Sequence, residues 1–131
     1  MSVLRHLVPR LIRKPFGRYS HAVEIRGAAR WLFCSGQLGI AADDAIPESV
    51  EAQATLCFEA IAACLAEAGM SFTDIVRINA YVTDRAFMSP YMTVRDRYVA
   101  APPPASTLMI VSGFTRPEFK VEVEVTAAAA G

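Results

Sequence analysis

The stretch "EAQATLCFEAIAACLAEAGMSFTDIVRINAYVTD", residues Glu51–Asp84, contains a change of hydrophobic period that decides the fold. Val50, Ala54, Cys57, Ile61, Cys64, Leu65 and Ala68 recur at three- and four-residue intervals, which is one stripe of a helix. Pro47 stands near its start and Gly69 at its stop, so the spacing predicts a helix over Pro47–Gly69. From Asp74 the period drops to two. Val76, Ile78, Ala80 and Val82 alternate with Arg77, Asn79 and Tyr81, which predicts a strand with one apolar and one polar face.

Toward the N-terminus, "HAVEI" (21–25) and "WLFCSG" (31–36) are short β-rich runs, and Gly27 between them predicts a hairpin. "QLGIAADDAIP" (37–47) reads as an irregular loop. Toward the C-terminus, Phe87–Ala100 carries Met88, Tyr91, Val94 and Tyr98 at helical spacing and is stopped by Pro102, Pro103 and Pro104. "STLMIVS" (106–112) and "FKVEVEVTA" (119–127) are the remaining strands. In the last, Phe119, Val121, Val123 and Val125 point one way, while Lys120, Glu122, Glu124 and Thr126 point the other. The order ββαβαββ predicts an α+β fold, a mixed sheet with both helices as crossovers on one face. The opposite face mixes polar and apolar residues, which suits solvent or an oligomeric core with clefts.

The chain has 131 residues, 53% of them apolar and 20% charged, the composition of one globular domain. Its 13 basic and 13 acidic residues cancel, so no global field favours nucleic acid or an anionic membrane. No apolar run approaches the ~20 residues that span a bilayer. Cys34, Cys57 and Cys64 are odd in number and lack metal-ligand spacing; the simplest reading is buried thiols in a reducing cytosol, so a cytoplasmic location and no metal are expected. "MSVLRHLVPRLIRKPFGRY" (1–19) holds five basic residues before the first acid at Glu24. Pro9 interrupts any helix there, and no small-residue cleavage site follows an apolar core, so residues 1–14 read as an extended basic arm on a single domain, 15–131. No Ser/His/Asp set, GxGxxG, P-loop or HExxH is present.

The stretches "FGRYSHAV", "CSGQLGI", the 51–84 segment, "PPPAST" and "KVEVEVTA" follow one another with spacings that resemble the reactive intermediate deaminase (Rid, or YjgF) family over about residues 15–128. The resemblance implies a chorismate-mutase-like fold assembled as a homotrimer with a central barrel. It also implies clefts between subunits that take small carboxylate metabolites. The best-known members hydrolyse reactive enamines and imines, such as 2-aminoacrylate, to 2-keto acids and ammonia with no cofactor. By the same resemblance Tyr19 closes the cleft, the backbone of Ser35, Gly36 and Gln37 approaches the ligand, and Glu122 positions the attacking water. Ala105, Ser106 and Thr107 occupy the substrate-binding segment, but active members carry an arginine where Ala105 stands, and its planar fork grips the substrate carboxylate. Met92 and Thr107 likewise replace the usual asparagine and cysteine. Arg116, in a longer loop, is a candidate substitute, although a loop arginine is most simply solvated. His21 is a further polar neighbour, more simply an ordinary strand histidine. Altered substrate choice and a non-catalytic, metabolite-sensing module using the same cleft both fit this pattern.

Overall fold

The structure is a computed structural model that describes residues 2–131. Its elements run β1 (Leu4–Leu7), β2 (Ala22–Ile25), β3 (Arg30–Leu38), α1 (Val50–Glu67), β4 (Ile75–Val82), α2 (Met88–Tyr98), β5 (Ala105–Ile110) and β6 (Val121–Ala129). The main sheet has the order β3-β6-β4-β5, with β6 antiparallel to both neighbours and β4 parallel to β5. It is the expected mixed sheet of an α+β fold.

Helix α1 begins where Ser49 Oγ accepts a hydrogen bond from the backbone N–H of Ala52, which satisfies one of the orphan donors of the first turn. It ends in a glycine stop. Gly69 has φ 66°, its N–H reaches the Ala66 carbonyl, and the N–H of Met70 reaches that of Leu65. A Schellman pattern therefore terminates the helix where the sequence placed the stop. Phe58, fully buried on α1, stacks on Tyr98 at 5.0 Å and on Tyr91 at 6.1 Å between ring centroids, and so clamps α2 to α1. Met92 packs half-buried against this core.

Beneath the helices lie Ile78, Ala80 and Val82 of β4 and Val121, Val123 and Val125 of β6, all buried. The expected alternation in β6 is present, but that in β4 shifts at its start. Ile75 is buried in place of Val76, because an extra residue enters β4 between the pairs Ile75↔Ala127 and Arg77↔Thr126. Such a bulge reverses the pleat locally, which hydrophobic period cannot reveal.

The hairpin expected between residues 21–25 and 31–36 does not form. β2 pairs instead with β1 in a separate two-stranded sheet, with Arg5 opposite Glu24 and ion-paired to it at 3.5 Å. Gly27, at φ 66°, does turn the chain, but it carries it from the small sheet to the main one. The basic arm thus contributes a strand from Leu4 to Leu7; Met1 lies outside the described residues.

Gln53 is the buried polar residue that the apolar stripe of α1 did not indicate. Its amide donates to the carbonyls of Pro47 and Glu118 and accepts from the N–H of Lys120, tying the helix to the start of β6. Gly39 makes this approach possible, since a Cβ there would collide with the Gln53 side chain and backbone. Replacing Gln53 with leucine strands three backbone groups, and a loss of about 2–3 kcal/mol in unfolding free energy is expected from urea titration.

Candidate functional site

The face of the sheet away from the helices carries the candidate site, and strand register decides which side chains reach it. Glu122, Glu124 and Thr126 of β6 lie opposite Tyr81, Asn79 and Arg77 of β4. Arg77, Asn79 and Tyr81 lie in turn beside Ala105, Thr107 and Met109 of β5. Cross-strand partners share a face, so three strands present one polar surface. A concavity of about 370 Å³ opens on it, walled by Phe33, Ser35, Asn79, Glu124 and Thr126.

Between Cys34, opposite Val125, and Gln37, opposite Val123, β3 carries one residue more than β6. This bulge falls on Ser35 and Gly36 and turns the backbone of the "SGQ" segment out of the ladder. Gly36 is there for a steric reason: a Cβ would strike the carboxylate of Glu122, which lies against the glycine. Ser35 is exposed at the wall of the concavity, while Gln37 folds back to donate to the Ser35 carbonyl at 2.9 Å.

Partial burial, and secondarily the neighbouring Glu124, raise the pKa of Glu122 above its ordinary value of 4.5. Glu124 is occupied differently, accepting a hydrogen bond from the Tyr81 hydroxyl at 2.6 Å. That bond, with the nearby carboxylate charges, raises the Tyr81 pKa despite the opposing charge of Arg77. Of the two glutamates, Glu122 is therefore the one that no side-chain donor holds.

The other residues singled out in the sequence gather at the opposite edge. Ser20 forms a parallel bridge to Ala105, and its hydroxyl donates to the Pro103 carbonyl, which fastens Tyr19 beside the head of β5. Arg18 reinforces this by donating to the carbonyls of Asp96 and Val99 at the end of α2. The Tyr19 hydroxyl accepts from the N–H of Phe16, and its ring meets His21 edge-on. His21 also contacts the Arg13 carbonyl of the arm. Thr107 faces the polar surface, whereas Ser106, in register with the buried Ile78, turns to the helix-covered side. Arg116 is committed elsewhere, ion-paired to Glu118 at 3.3 Å and lying over Phe119. Ser35, Gly36 and Glu122 are thus brought together, but β3 and β5 stand three strand spacings apart, about 14 Å. The candidate residues thus fall into two groups at the two edges of the sheet.

Burial pushes the Cys57 thiol up to about 12, and burial with the neighbouring Cys64 raises Cys34 to about 11. Both remain protonated near neutrality, as structural thiols do. Among the described residues no three metal-ligating side chains converge, and no helix is long and apolar enough to cross a membrane.

Fold and site together define a small α+β protein with a polar sheet face, one seated glutamate of raised pKa and a neighbouring concavity. Residues 11–129 match the family described as endoribonuclease L-PSP, and the chain belongs to that family, the YjgF/Rid proteins. It is similar to protein DfrA of Myxococcus xanthus, 34% identical over 116 residues and 87% of each chain. The RutC family protein YjgH of Escherichia coli is 32% identical over 124 residues, 89% of this chain and 95% of its own. Among solved structures, the Rid family protein YyfB of Yersinia pestis superposes with a TM-score of 0.83 at 25% identity, covering 96% of this chain and 98% of that one.

The raised pKa of Glu122 has a measurable consequence for stability. A carboxyl with a higher pKa folded than unfolded holds its proton longer in the native state, so its ionisation costs stability as pH rises through the folded value. Glu122→Gln removes that cost. Its melting temperature is expected to match that of the parent below about pH 4.5 and to exceed it increasingly toward neutrality, as read by scanning calorimetry.

Proposed function

We propose that the chain hydrolyses small reactive enamines and imines in clefts closed between three copies of itself, with Glu122 as the general base. The observation that carries this reading is the Glu122 carboxylate, seated against Gly36 and raised in pKa, beside the bulged Ser35 backbone. In the step proposed, water adds to the C=N carbon as Glu122 accepts its proton. In the carbinolamine that a protonated imine yields, Glu122 returns the proton to the nitrogen, the carbon–nitrogen bond breaks as ammonia leaves, and the hydroxyl gives its proton to solvent as the carbonyl forms. No cofactor enters this balance, and the substrate is a small metabolite.

The separation of the two groups of candidate residues supports the homotrimer. The Tyr19–Ala105 edge of one copy, set beside the Ser35–Glu122 edge of the next, would complete a cleft that neither has alone. Trp31 and Phe33, stacked on each other and 51% and 75% exposed, are large apolar rings that share a mixed face with the exposed Met109, as an interface requires. The family description names a nuclease. A face carrying Glu122 and Glu124 on a chain of zero net charge is a poor match for a phosphate backbone.

Ala105 favours a second reading, a trimeric module that binds and senses a metabolite without turning it over. The two are separated by supplying 2-aminoacrylate in situ and following 2-keto acid release. Acceleration over buffer, an acid limb above pH 4.5, and a fall of about 100-fold or more in Glu122→Gln are expected. No acceleration by the parent of 2-aminoacrylate or of neutral and cyclic imines defeats the hydrolase reading. Light scattering is expected to show three times the chain mass of 14.2 kDa, and Phe33→Asp to shift the population to monomer; a monomeric parent would remove every site built across an interface.

A further inference from the structure

Arg77 was legible in the sequence only as one of the polar residues alternating along β4. In the fold it stands directly opposite Ala105, on the polar face. Its guanidinium is held by two neutral acceptors: Nε donates to Asn79 Oδ1 at 2.8 Å and Nη2 to Thr107 Oγ1 at 2.6 Å. Like several arginines here, Arg77 has no acidic partner within 4.0 Å among the described residues, but it alone of these is held by two neutral side-chain oxygens. Its charge is oriented without a direct ion pair.

The two bonds also fix where that charge lies. Asn79 and Thr107 sit two residues further along their strands, so the guanidinium leans about 7 Å toward the level of Glu124. Its influence on the Tyr81 hydroxyl is consistent with that lean. Asn79, which holds it, and Thr126, its partner in register, both wall the concavity, so Arg77 stands at the rim. With Nε and one Nη2 proton engaged, the donors left are the two N–H of Nη1 and the second of Nη2. That free end of the fork matches the paired oxygens of a carboxylate.

We propose that Arg77 is the anion anchor of this site, gripping the carboxylate of a small monocarboxylate ligand whose other end reaches into the concavity. Ala105 opposite it is small, and an arginine at both positions would place like charges directly across a strand pair. The proposal rests on the candidate site described above, but its binding test does not require catalysis. Pyruvate, a small 2-keto acid, and pyruvamide, its neutral counterpart, are the probes.

In calorimetric titration the parent is expected to bind pyruvate and to bind pyruvamide about 10- to 100-fold more weakly, the yield of charge-assisted hydrogen bonds. Arg77→Gln should lose that preference and Arg77→Lys should keep part of it. Arg77 is exposed, so unchanged circular dichroism and scattering mass confirm that the variants fold. If the parent turns over 2-aminoacrylate, Arg77→Gln should raise KM with little change in kcat, whereas Glu122→Gln lowers kcat. A parent that fails to prefer pyruvate, or a folded Arg77→Gln protein that binds it equally well, overturns the proposal. Arg77-dependent pyruvate binding without turnover would leave the anchor standing and remove only the hydrolase reading.

Discussion

The pleat of β6 is the constraint on which both core and site depend. Successive residues of a strand face opposite ways, so a run that alternates valine with glutamate sends Val121, Val123 and Val125 under the helices and Glu122 and Glu124 to the other side. β6 is hydrogen-bonded on both edges, to β3 and β4, so its register is set twice. A slip of one residue would bury two carboxylates and expose three valines, an exchange no compensating contact could offset. Burying the core and presenting the glutamates are one event.

Departures from regular pairing do the rest. The bulge at Ser35 and Gly36 re-aims the backbone of β3 just where Glu122 needs space, and the bulge at the head of β4 turns Ile75 in place of Val76 into the core while Arg77 keeps the polar face. Neither is a defect in the sheet. Each places one residue where strict alternation would have put another. The buried Gln53 amide serves the same end from below, because it fixes the segment that leads into β6 and hence the height at which Glu122 emerges.

Charge on this face is distributed by bonding partners more than by residue type. Glu124 is held by Tyr81, Glu122 is partly desolvated without a donor of comparable strength, and Arg77 is steadied by neutral oxygens. Two glutamates of the same strand consequently have different chemistry. An arginine that composition counts as one of 13 basic residues becomes a fixed point of positive potential beside an acid pair.

Much of this was legible in the sequence, for physical reasons that are local. The helix of α1 follows from its apolar period and its Gly69 stop, the end of α2 from the proline run, and the two faces of β6 from strict alternation. The family was legible in the set of short stretches around Tyr19, Ser35, Ala105 and Glu122, and the absent arginine in Ala105 itself. The pairing of β2 with the N-terminal arm was not, because Gly27 marks a turn without saying which strand lies beyond it. Nor were the bulges, which depend on how many residues each partner supplies, or the burial of Gln53, whose partners lie in distant segments. By itself the sequence determined the apolar stripes of α1 and β6 and where the helices stop, since period and capping act within a few residues. Only the tertiary structure decided that Arg77 lies opposite Ala105 and that Glu122 rests on Gly36, because register between strands is set by contacts far apart along the chain.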